Sequence, residues 1–143
     1  MTPSPTKPSA RKVTVSGTPD LYLDVDGVLL FMDKRENQWL IGIIQQARGF
    51  FGRIFWLSCW TSDGKAERLY EKHPAFRELK ATPLKWNKLK TEALDWTRPF
   101  IWIEDGLVKE EMAFFKSKAV SGQDVYEITP GEHCENLIGR LKP

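Results

Sequence analysis

Cysteine and histidine are scarce: Cys59, Cys134, His73 and His133 are the whole supply. Two cysteines cannot form a disulfide framework, and none of the four residues has the short spacing of zinc ligands, so both cysteines read as free thiols. Long apolar runs are missing too. None approaches the ~20 residues of a membrane helix, and Met1 to Ser9 has no apolar segment of a secretory leader, so no membrane partner is expected. A reducing cytoplasm is the default compartment. The chain also lacks an excess of either charge: 21 Lys and Arg against 19 Asp and Glu leave +2, too even for bulk electrostatics to select a nucleic acid or a membrane surface. The 143 residues suffice for one core rather than two. Nothing in the sequence fixes an oligomeric state.

Residues 1–20 carry Pro3, Pro5, Pro8 and Pro19 among Ser, Thr and Lys, which predicts a disordered arm before an ordered domain over 21–143. Order is expected from Leu21, where Leu21-Tyr22-Leu23-Asp24-Val25-Asp26 reads as a buried strand ending in acids before Gly27. Trp39, Leu40, Ile43, Ile44, Ala47 and Phe51 repeat at helical spacing, with Gly52 at a C-cap position. Ile54 to Leu57 reads as a second strand and Lys65 to Lys72 as a polar helix stopped by Pro74. A short strand over Ala81 to Leu84 fits only an edge position because of Pro83. Then follow a helix over Lys90 to Trp96, a strand over Phe100 to Ile103, a helix over Val108 to Lys116 and a strand over Val125 to Ile128. Thr129-Pro130-Gly131-Glu132 is a capping box opening a last helix, whose apolar stripe contains Cys134, Leu137, Ile138 and Leu141. This alternation predicts an α/β fold, a mostly parallel, Rossmann-like sheet with helices on both faces. Ligands of such sheets bind beyond the carboxyl ends of the strands, where the sequence places Asp24, Asp26, Ser58, Glu104 and Asp105.

Two carboxylates two residues apart face the same way while a strand remains regular, and Gly27 then permits a sharp turn. A third acid from a neighbouring strand completes an all-oxygen set suited to magnesium, without which so much negative charge would repel itself. The segment Leu21 to Leu29, an apolar strand followed by Asp24-Val25-Asp26-Gly27, resembles the first motif of the haloacid dehalogenase-like (HAD) phosphohydrolases. Ser58 matches the second motif, a Ser or Thr ending an apolar strand. Lys90 matches the third best, with Lys88 and Lys85 as competitors. Glu104 and Asp105 match the fourth, an acidic pair, although Asp-Asp is commoner there. The resemblance covers Leu21 to Asp105 and implies that Asp24 is the nucleophile and Asp26 the proton carrier. It further implies that Ser58, Lys90 and Gly27 bind phosphate, and that the Asp24 and Asp105 carboxylates with the Asp26 backbone carbonyl hold Mg2+, Glu104 lying behind them.

The intervals from Asp24 to Ser58 and from Ser58 to Lys90, 34 and 32 residues, are both consumed by the core's own elements, so the resemblance is to members without a cap domain. Their open sites imply a phosphorylated substrate that is large, such as a phosphoprotein or a nucleic-acid end. Trp60, two residues past Ser58, reads either as a stacking platform at the mouth or as packing at the core's edge. Receiver domains share the residue types, but their acceptor Asp lies on a later strand, and the strand ending at Ser58 carries no acid. The activity implied is phosphomonoester hydrolysis through an aspartyl phosphate; the alternative is an inactive HAD-like binding or regulatory module.

Overall fold

The computed structural model describes residues 17–31, 33–59 and 64–128. Five parallel strands form one sheet in the order β3-β2-β1-β4-β5, with β1 at Asp20–Leu23, β2 at Ile54–Trp56, β3 at Thr82–Pro83, β4 at Phe100–Glu104 and β5 at Gln123–Glu127. Between them run helices α1 (Gln38–Gln46), α2 (Ala66–Lys72), α3 (Pro74–Arg77) and α4 (Lys109–Lys118). This is the doubly wound α/β topology that the alternation of apolar runs predicts.

The central strands are buried on both faces, so they read as continuous apolar runs while their side chains alternate between two cores. Leu21 and Leu23 of β1, Ile101 and Ile103 of β4 and Ile54 and Trp56 of β2 join Leu40, Ile41 and Ile44 of α1 on one face. Tyr22, Phe100 and Trp102 meet Phe115 of α4 on the other. Pairing in register, Leu21 to Ile54 on one side and to Ile101 on the other, keeps each face apolar. Pro83, which lacks an N–H, sits where expected, in an edge strand paired only with β2.

Several boundaries differ from the sequence reading. β1 starts at Asp20, whose carboxylate is fully buried and accepts hydrogen bonds from Arg53 (2.6 Å) and Arg98 (3.0 Å). α1 ends at Gln46 and passes into a 3₁₀ turn at Arg48–Phe50, so Gly52 is not its cap. Gly52 instead leaves room for Arg98: a Cβ there would stand 2.7 Å from the guanidinium Nη2. Pro74 ends α2 but opens α3, a place where its missing N–H costs nothing. The stretch from Lys90 to Trp96 forms only a 3₁₀ turn at Lys90–Ala93, because Leu94 is extended and Asp95 turns the chain by accepting the Thr97 N–H at 3.0 Å. β4 includes Glu104 and β5 starts at Gln123. Of the arm expected over residues 1–20, residues 1–16 lie outside the described residues, as do Trp60, the capping box and the last helix with Cys134, while Asp20 belongs to β1. Among those described, no helix is long and apolar enough to cross a membrane. Between β1 and the Lys90 turn they contain core elements and no cap domain.

Candidate functional site

β1 and β4 are neighbours, yet the helices that follow them, α1 and α4, cover opposite faces of the sheet. The crevice at their carboxyl ends is therefore the topological switch point of the sheet, where chain segments part and leave room for a ligand. By strand alternation Asp24 and Glu104 fall on the face of Tyr22 and Trp102. Asp24 is 6% exposed; its N–H reaches the Ile103 carbonyl at 3.2 Å and its Oδ1 accepts the Val25 N–H at 2.8 Å. Glu104 is 2% exposed, and its Oε1 accepts the Asp105 N–H at 3.0 Å. Asp24, Glu104 and Asp105 each offer a carboxylate oxygen, all within 4.8 Å of one another. The all-oxygen donor set fits a hard divalent cation such as Mg2+.

Lys90 reaches this cluster from its 3₁₀ turn. Its ammonium stands 2.7 Å from Glu104 Oε2 and 3.4 Å from Asp24 Oδ1, with the Trp86 ring centroid 5.7 Å away. Of the three candidate lysines this is the one at the acids; Lys85 and Lys88 are exposed. Lys88 lines a cavity of about 190 Å³ with Trp86, Leu107 and Val108, and Lys90 and Glu104 form its inner wall. Ser58, 1% exposed, follows β2, and its carbonyl accepts the Trp86 Nε1–H at 3.3 Å. A larger cavity of about 580 Å³, lined by Gly17, Pro19, Gln46 and Phe50, opens at the other end of β1 and contains none of these acids.

Asp26 is not brought into the cluster. Regular strand stops at Leu23, and the N–H groups of Val28, Leu29 and Leu30 all converge on the Val25 carbonyl at 2.9–3.1 Å. That turn swings Asp26 to a half-exposed position, where it pairs with Lys34 at 3.1 Å. The carboxylate nearest Asp24 and Asp105 is thus Glu104, which the sequence reading set behind the metal. Gly27 has a positive φ of 81°, and a Cβ there would lie 2.6 Å from Asp105 Cγ. Glycine at 27 therefore supplies both the turn and the space in which Asp105 closes over it.

The acids carry the mark of crowding. Burial, together with the neighbouring Asp24, raises Glu104 to about 7. Burial, together with Glu104, raises Asp105 to about 6. Asp24 is also raised, by burial above all, against the opposing pull of Glu104 and Lys90. Burial alone would lower Lys90, but Asp24 and Glu104 outweigh it and the ammonium is held charged. One lysine facing three carboxylates leaves negative charge that a divalent ion would neutralise.

Sequence reasoning missed three participants: Lys34, Trp86 and Glu111, the last a buried acid of α4 whose carboxylate accepts the N–H groups of Lys90 and Thr91. Each looks in the sequence like part of a solvated or mixed segment, and only Trp86, an aromatic amid Lys85, Asn87 and Lys88, carried a weak signal. Comparison with protein-family models, with curated proteins and with solved structures finds no match to this chain.

Proposed function

We propose that this chain is a magnesium-dependent phosphatase of HAD-like type, hydrolysing phosphomonoesters through an aspartyl phosphate on Asp24. The observation that carries the reading is the convergence of Asp24, Glu104 and Asp105 with the Lys90 ammonium at the switch point of the sheet. Asp24 attacks phosphorus with a carboxylate oxygen, the P–O bond to the leaving group breaks, and water then cleaves the acyl phosphate to release inorganic phosphate. Asp26, half-exposed and paired with Lys34, gives its proton to the leaving oxygen and then takes one from the water. Lys90 and Ser58 hold the equatorial phosphoryl oxygens, and Gly27 keeps the backbone close. The residues that would hold Mg2+ are Asp24, Asp105 and the Asp26 carbonyl, with the Glu104 carboxylate in reach; the ion supplies positive charge against the phosphoryl oxygens. Among the described residues no cap domain covers this crevice, which favours a large phosphorylated substrate such as a phosphoprotein or a nucleic-acid end.

Hydrolysis of p-nitrophenyl phosphate with magnesium tests the reading. Turnover should vanish in excess chelator and return with magnesium. Unchanged turnover in chelator overturns the metal requirement, and no turnover with any phosphorylated metabolite, peptide or oligonucleotide leaves the binding-module reading in its place.

A further inference from the structure

We infer that Glu111 is the positioning residue for Lys90, a second carboxylate that grips the backbone of the lysine whose head the acid cluster holds. The inference deepens the proposed function, since it rests on Lys90 meeting a phosphate. The first N–H groups of any helical turn have no partner inside it, and Leu89, just before the Lys90 turn, has no side-chain oxygen to offer. Two glutamates supply what is missing. Glu92 accepts the N–H groups of Asn87 and Leu89 at 3.1 and 3.4 Å. Glu111, reaching over from α4, accepts those of Lys90 and Thr91 at 2.5 and 3.1 Å, one per carboxylate oxygen.

Glu111 is a buried carboxyl group, 6% exposed, and lines the same cavity as Glu104. A buried carboxylate costs several kcal/mol in desolvation, offset in part by the two N–H groups it satisfies, each of which would cost about 1–3 kcal/mol if left unpaired. Beyond satisfying them, the carboxylate adds direction. Two consecutive N–H groups held by one planar group fix the orientation of the turn, and with it the point from which the Lys90 side chain starts. The side chain, only 13% exposed, then carries its ammonium between Asp24 and Glu104.

A double-substitution cycle read by inorganic phosphate binding in saturating magnesium separates positioning from plain structural support. Lys90→Met should weaken phosphate binding at least tenfold and Glu111→Gln about tenfold, because an amide accepts at one oxygen only and turns its NH2 toward the second N–H. The double variant should bind no more than twofold worse than Lys90→Met alone. Multiplying losses, or unchanged binding in folded Glu111→Gln, overturns the inference. Should Glu111→Gln fail to fold, Glu111→Asp serves in the same cycle with the same expected outcomes. Should the parent bind no phosphate, the proposed function fails by itself, and Lys90 is then followed by amine acylation and mass spectrometry. Loss of the grip should raise Lys90 labelling at least tenfold with Lys88 unchanged; unchanged Lys90 labelling overturns the inference.

Discussion

Asp24 and Asp26 are two residues apart and meet opposite surroundings, one buried among acids and Lys90, the other half-exposed on Lys34. That contrast separates their expected effects on hydrolysis. Asp24→Asn removes the carboxylate proposed to attack phosphorus and should reduce turnover to background at any pH. Asp26→Asn should slow turnover of alkyl phosphates by roughly 10²- to 10⁴-fold, the usual loss for a proton carrier, but should still release phenolate from p-nitrophenyl phosphate, whose leaving group hardly needs a proton. Equal residual rates for the two variants, with folding verified by circular dichroism, would show the roles to be wrongly assigned. At the next residue, Gly27→Ala meets both a positive φ and the Asp105 side chain, whereas Gly64→Ala meets a φ of 75° with nothing within 4 Å. Both should lose about 1 kcal/mol from backbone strain. Only Gly27→Ala should also displace Asp105 and weaken magnesium binding at least tenfold, read by calorimetric titration of the two variants side by side.

At the scale of elements, the amino end of the sheet is fastened by charge as well as by apolar packing. Asp20, fully buried in β1, holds Arg53 from the approach to β2 and Arg98 from the approach to β4, and Arg53 in turn holds Asp95 at 2.7 Å. Burial of this acid is matched by two guanidinium groups, each partly open to water. The same contacts hold Asp95 at about 2, first through the Thr97 hydroxyl and then through Arg53. Removing one partner of a buried pair costs about 3–5 kcal/mol, and the exposure of both arginines reduces this, so Asp20→Asn is expected to destabilise by about 2 kcal/mol. Thermal unfolding should show a fall of roughly 5–10 °C, with magnesium affinity unchanged because the network lies at the opposite end of β1 from the acids. A fall below ~2 °C would mean that the network adds little.

At the scale of the whole molecule, protons, stability and the proposed metal are expected to be linked through the three crowded acids. Their folded-state values lie above those of free carboxyls, Glu104 at about 7 and Asp105 at about 6. Such groups favour the folded state below their unfolded values and withdraw that support as pH rises through 6 to 7, so the metal-free protein should be less stable at pH 8 than at pH 5.5. Magnesium reverses the order, because it competes with the same protons: affinity should rise across this window, and binding near pH 6.5 should release protons, read as a buffer-dependent calorimetric heat. A pH-independent affinity would remove Glu104 and Asp105 from the metal site. Much of this molecule was legible in the sequence, because strands and helices are written in local spacing: the apolar runs at Leu21, Ile54 and Phe100 mark the three central strands, and Pro83 marks an edge. The acids that end the first and third of those runs marked the candidate site for the same reason, since a buried strand tolerates a carboxylate only where it emerges. What local spacing does not encode is which distant segments lie side by side. Glu104 joins Asp24 across 80 residues because β4 is inserted beside β1, Glu111 reaches Lys90 because α4 lies on that face, and Asp26 leaves the cluster because three N–H groups close on Val25. The sequence by itself determined the elements, the end of the sheet that bears the acids and the residue types gathered there. Only the tertiary structure decided which carboxylates meet, which lysine faces them and what holds that lysine, because those depend on strand order and on the burial and charge that packing alone creates.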